Sequence, residues 1–250
     1  MRIDLRTDFE ERVVEVDAYI DLVSSIEHSI QAGVPLIKTR SGASKVVEPM
    51  QQKLLCAGVY LHLYNLVEAT VSRCIAAVER AATESAAWNV GDLSAELRGE
   101  WVRSMAKTHE NLSVESRLDA ALNLCNHLVR MLPVRLSISQ GGGGNWDDEE
   151  IFRFTKRIGV PIRFTPETQR GVKQPIRNDK GAMQLVRHLR NKLAHGELSF
   201  SECGEGLTAA DLTKIKDCTV VYLSEVIDCY EGFLTRFEYV VPEKRPQHAG

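Results

Sequence analysis

Residues 50–82 read MQQKLLCAGVYLHLYNLVEATVSRCIAAVERAA. Inside this stretch, Leu54-Leu55-Cys56-Ala57-Gly58-Val59-Tyr60-Leu61 carries no charge and no proline. A helix of that composition is apolar on most sides, so it is expected at the centre of the protein with other helices around it. The span Met50 to Ala82 is therefore read as the long central helix of an all-α fold.

The flanking sequence supplies helices to surround it. From Asp8 to Gln31, Phe9, Val13, Val16, Ile20, Val23, Ile26 and Ile30 recur at three- and four-residue steps. That is one stripe of an amphipathic helix over about 8–32, ended by Gly33 and Pro35. Residues 34–49 carry Pro, Gly and Ser and read as a loop. Two further helices are expected over 94–107 and 115–132. The second gathers Leu118, Ala121, Leu122, Cys125, Leu128, Val129 and Leu132 on one broad face and stops before Pro133.

Gly141 to Gly144 then break the pattern, since four glycines suit no regular element. They lack the Gly-Lys-Ser/Thr that would make a phosphate loop, and read as a flexible connector. Asp147 with Glu150 resembles a capping box that opens a short helix to about Ile158. Residues 159–180, with Pro161, Pro166, Gly171 and Pro175, read as loop or short extended pieces. The next helix runs from near Lys180 to Gly196, a natural C′ residue. Thr208 and Asp211 open the last one, which reaches about Phe237 with Val220, Leu223, Val226, Ile227, Tyr230 and Leu234 on its apolar face. The expected architecture is a single all-α domain over 1–250, a bundle of about five to seven helices. Its core lies at about 50–238, preceded by the helix 8–32 and interrupted by a loop-rich insertion at about 141–180.

The 250 residues are 44% hydrophobic and 26% charged, with net charge −3. That is an ordinary globular composition. Mild acidity argues against a general nucleic-acid coat protein but permits a local basic site. Met1 to Glu11 has no apolar leader core, and no apolar run is read as long enough to span a bilayer, so a cytoplasmic protein away from membranes is expected. Cys56, Cys74, Cys125, Cys203, Cys218 and Cys229 form no Cys-x-x-Cys pair and read as buried, reduced thiols. The histidines show no zinc-ligand spacing with them. Neither metal nor cofactor is called for.

Chemistry concentrates in Arg190-Asn191-Lys192-Leu193-Ala194-His195. Arginine can hold a phosphate through two parallel hydrogen bonds, and histidine can move a proton near neutral pH. Arg187, Arg190 and Lys192 meet no acid between Lys180 and Glu197, so they make a local cationic surface. The helix end favours an imidazolium at His195. Twenty arginines and seven histidines make a lone Arg-x4-His pair unspecific. On an ideal helix the two side chains also stand about 140° apart. They converge only if the helix end relaxes, the arginine curls round, or a second subunit supplies half the site. The plainer alternative makes Arg190 a solvated cation and His195 a helix cap.

Arg190-Asn191-x-Leu193-Ala194-His195-Gly196 resembles the signature of the HEPN superfamily. Gly144-Asn145-Trp146-Asp147, the run Glu197-Leu198-Ser199-Phe200 and the stretch Tyr64-Asn65-Leu66-Val67-Glu68 resemble a bacterial HEPN subfamily, over about residues 50–238. The resemblance implies a helical bundle that dimerises so that two motifs meet in one cleft. It also implies metal-independent endoribonuclease activity in many members, often as toxins or antiphage effectors. Under that reading His195 is the general base or acid, Arg190 stabilises phosphoryl charge, and Asn191 orients the histidine or the phosphate. Glu68 supports Arg190, while Arg187, His188 and Lys192 bind RNA. The expected partners are RNA, a second copy in a homodimer, and an antitoxin or other partner protein. The alternative is a non-catalytic module binding RNA, nucleotide or a partner protein.

Overall fold

A computed structural model describes residues 4–33, 35–38, 40, 42–84, 88–107, 111–140 and 145–246. The fold is all-α, with one small hairpin among the described residues. In order come α1 (Leu5–Gln31), β1 (Leu36–Lys38), β2 (Ser44–Val46), α2 (Pro49–Glu84), α3 (Ala95–Met105) and α4 (Val114–Val129). They are followed by α5 (Asp148–Arg157), α6 (Pro166–Lys173), α7 (Ala182–Ala194), α8 (Phe200–Cys203) and α9 (Ala209–Thr235).

The central helix is α2. It packs against α1, α7, α8 and α9, and Ala57, Val59, Tyr60, Leu63 and Val78 are fully buried along it. The valine and leucine side chains among them each contribute about 1.5–3 kcal/mol by leaving water. Close approach to α1 depends on Gly58, where a Cβ would collide with the Tyr19 hydroxyl. That hydroxyl instead donates to the Leu55 carbonyl at 3.1 Å. Contrary to the sequence reading, α2 is long and apolar enough to match a bilayer span by length and composition. Its apolar window is 56% buried inside the protein, as befits a core helix.

Local signals fix the other long helices. Asp4 caps α1 by accepting from the Thr7 N–H at 3.0 Å, and α1 buries Leu5, Phe9, Val16, Ile20 and Val23. Arg6 ties α1 to α9, donating to Ser224 Oγ at 2.7 Å and pairing with Asp228. Thr208 and Asp211 form the capping box that opens α9. Such caps are worth about 1 kcal/mol each.

Several expectations are corrected. Residues 34–49 hold the antiparallel β1–β2 pair, with Leu36 opposite Val46. All six strand residues are exposed, so no buried alternation marked them. Within 159–180 lies α6, where Pro166 starts the helix and Thr165 caps it. A proline at the first helical position costs no hydrogen bond. The one-turn α8 also went unread, and the described residues hold nine helices rather than five to seven. Residues 145–180 contribute Trp146, Ile151, Phe154, Ile158 and Val172 to the main core. Gly141–Gly144 lie outside the described residues.

The largest correction concerns α4. Its broad apolar face points away from the protein, with Leu118 60%, Leu122 52% and Val129 83% exposed. Only Ala120 and His127 are buried on this helix. Cys125 is exposed with them, so one of the six thiols is not buried as expected. Cys56, Cys74 and Cys203 are buried, and Cys218 and Cys229 are half-buried.

Candidate functional site

The motif helix α7 turns Ala182, Met183, Leu185, Val186, Leu189 and Leu193 inward. That stripe leaves Arg187, His188, Arg190, Asn191 and Lys192 half-buried at the edges of the contact. The helix stops at Gly196, whose φ of 70° suits a residue without a Cβ. Its N–H bonds the Leu193 carbonyl at 3.3 Å, and the Glu197 N–H bonds the Lys192 carbonyl at 2.9 Å. This double closure is a Schellman motif, and it sets His195 as the C-cap residue.

Arg190 is held from three directions. Its guanidinium carbon lies 4.0 Å from the centroid of the Tyr64 ring. One terminal nitrogen donates to Asn191 Oδ1 at 2.8 Å. The other lies 3.8 Å from Glu68 Oε2. Tyr64 and Glu68 are four apart on α2 and so share its face. Burial raises the Tyr64 phenol above its usual range, and the Arg190 charge draws it part of the way back. Asn191 continues the chain, its Nδ2 donating to Asn145 Oδ1 at 3.0 Å. A surface arginine normally samples many rotamers, whereas this one is pre-ordered by a stacking platform, a carboxylate and an amide.

Arg187 has a different employment. It pairs at 2.7 Å with Asp147, which is only 2% exposed at the side chain. Asp147 also caps α5 by accepting from the Glu150 N–H at 2.9 Å. The expected capping box is thus present in its Asp147 half, and Glu150 turns instead to Arg153. Much of the Arg187 charge is balanced at that buried carboxylate.

An open cleft of about 490 Å³ runs beside α7. Asn145, Lys180, His188, Asn191 and Lys192 line it together with Arg187, Gln184 and Glu197. Burial holds the His188 imidazole below its usual value, and the charges of Lys180, Lys192 and Arg187 push the same way. Glu197 opposes them. Cations therefore outnumber anions in the cleft, on a protein that is acidic overall.

His195 stands apart. It is exposed at the helix end, its backbone N–H bonded to the Asn191 carbonyl at 2.9 Å. Among the described residues no hydrogen bond joins its imidazole to the Arg190 guanidinium. The structure thus gathers Arg190, Asn191 and Glu68 on one side, and Arg187, His188 and Lys192 around the adjoining cleft. Sequence reasoning named the stretches containing Tyr64 and Asn145 but gave neither residue a role. The four-residue spacing of Tyr64 and Glu68 was the readable hint, whereas the Asn145 contact spans 46 positions. Among the described residues no group of three or more His, Cys, Asp or Glu side chains is placed to hold a metal ion.

The MAE_28990-like HEPN family model matches residues 1–239. The match takes in α1, beyond the 50–238 segment on which the resemblance rested. No curated protein and no solved structure matches the chain.

Proposed function

From the premise that the chain belongs to the MAE_28990-like HEPN family, we propose that it is a metal-independent endoribonuclease. HEPN membership points to ribonuclease-like or nucleotide-related work. The observation that carries the finer reading is the pre-ordered guanidinium of Arg190 on the same helix end as the exposed imidazole of His195.

In the proposed reaction an RNA 2′-hydroxyl attacks the adjacent 3′-phosphorus. One His195 takes the hydroxyl proton as the O2′–P bond forms. The P–O5′ bond breaks, and a protonated His195 delivers a proton to the leaving O5′. The products are a 2′,3′-cyclic phosphate and a free 5′-hydroxyl. Arg190 faces the phosphoryl oxygens as charge builds on them, with Asn191 as its orienting neighbour and Glu68 holding it from behind. Arg187, His188 and Lys192 would bind the RNA backbone beside the cut.

A homodimer completes this scheme. Within one chain Arg190 and His195 diverge by about 140° around the helix, so two helix ends, related by symmetry, are needed to surround one phosphodiester. We place the protein in the cytoplasm as a toxin or antiphage effector, restrained by an antitoxin or other partner protein. The test is RNA cleavage in excess chelator. The native protein should cut, and His195→Ala and Arg190→Ala should each lose at least about 100-fold, the usual size of a general acid–base contribution. Undiminished cleavage by either variant removes the mechanism.

A second reading has its own support. The cleft centred on Lys180, His188 and Lys192 is not lined by His195, as a site that binds RNA or nucleotide without cutting would not be. RNA binding by a native protein that cleaves nothing, with or without added metal ions, would favour it.

A further inference from the structure

The outward face of α4 has a regular design. Leu118, Leu122, Cys125 and Val129 follow one another at steps of four, three and four residues, and all are exposed. Those four positions follow the 3.5-residue period of a two-helix seam, and exposed Ala121 and Leu128 widen the face along one edge. The opposite edge, through Ala120 and His127, attaches α4 to the protein. There the His127 ring lies 5.0 Å from the buried Trp101 ring. Val114, the first residue of the helix, and Met131 and Leu132 just beyond its last are exposed apolar side chains too. Among the described residues nothing covers this face.

We propose that α4 pairs with α4 of a second copy, antiparallel about a two-fold axis between positions 122 and 125. Such an interface must be complementary to itself. In this register Leu118 faces Val129 of the other copy and Leu122 faces Cys125, so each large side chain meets a smaller one, as close packing requires. A parallel arrangement would set Leu on Leu and leave Cys on Cys and Val on Val. Charge favours the same direction. The first turns carry Glu115, Arg117 and Asp119, two acids to one base, and the far end carries Arg130, so antiparallel pairing sets the more acidic end near the basic one. It also opposes the two helix dipoles.

The contact is small. Sixteen residues make a strip about 24 Å long, less than a standard interface offers. Pairing is therefore concentration-dependent. It is also separate from the Arg190 site. The chain leaving α4 docks near the far end of α2, where the Leu136 N–H bonds Thr83 Oγ1 at 3.3 Å. Thr83 lies roughly 22 Å further along α2 than Glu68. The inference does not rest on the proposed reaction.

Cys125 makes the test direct, because it is the one exposed thiol of the six. A bismaleimide spanning the distance between packed helices, about 8–10 Å, is added to the native full-length protein over a series of concentrations. A covalent dimer joined Cys125 to Cys125 by peptide mass mapping is expected, its yield rising with concentration. Cys125→Ser should abolish the product. Leu122→Glu, and separately Leu118→Glu, should lower it at least ten-fold with an unchanged circular-dichroism spectrum. Single-ended adducts alone at every concentration would overturn the proposal, as would cross-linking that both glutamate variants leave intact.

Discussion

The Arg190 guanidinium carbon sits 4.0 Å from the centroid of the Tyr64 ring. A cation over an aromatic face gains roughly 0.5–2 kcal/mol, depending on how far it is desolvated. Arg190 is 26% exposed at the side chain, which places it between the surface and buried limits. The stacking fixes where the positive charge stands before any phosphate arrives.

Tyr64→Leu should therefore keep the fold and loosen the arginine. The expected result is a loss of about ten-fold in kcat/KM on RNA, equivalent to about 1.4 kcal/mol. Tyr64→Phe keeps the ring face and should stay within about two-fold of the native protein. Equal losses in the two variants would show that the hydroxyl, not the ring, is what counts.

Arg187 and Asp147 predict an asymmetry in stability. Arg187→Ala leaves a buried carboxylate without its counter-ion, which costs about 3–5 kcal/mol in fully buried pairs and somewhat less here, where the arginine is 37% exposed. Asp147→Asn retains an oxygen for the α5 cap and frees an arginine that can reach water. Denaturant titration should find Arg187→Ala the more destabilised of the two. The reverse order would mean that the pair is not what holds α5 to α7.

His188 gives the pH dependence. Its imidazole should titrate below the ordinary histidine value of about 6.5, mainly through burial and then through Lys180, Lys192 and Arg187. The folded value lies below the unfolded one, so its contribution to stability is intact above about pH 6.5. That contribution falls as pH drops through the folded value. Lys180→Gln removes one of the repelling charges and should raise the value. Following the imidazole proton signals by NMR against pH would measure both, and a titration at or above the ordinary value would contradict the prediction.

The fold was legible where burial and capping act locally. Val16, Ile20 and Val23 on α1, the apolar run on α2 and the Thr208–Asp211 box on α9 each announce themselves within a few turns. The hairpin was not, because Leu36–Lys38 and Ser44–Val46 bury nothing. Pro166 read as a breaker, yet a proline that begins a helix and one that stops it look alike without the Thr165 cap geometry. On α4 the period was plain, but periodicity states that a face is apolar and not what covers it. At the site, Arg190, Asn191 and His195 came from one contiguous motif. The Tyr64 platform and the Asn145 amide come from other elements, and only tertiary packing brings them to Arg190.

The most direct test of the account concerns the nucleophile. The native protein is incubated in chelator with an RNA oligonucleotide and with the same sequence carrying a 2′-deoxy sugar at the cut position. Cleavage of the RNA to a 2′,3′-cyclic phosphate, none of the deoxy substrate, and none of either by His195→Ala is the predicted result. Cutting of both substrates, or cutting that survives the loss of His195, would contradict it.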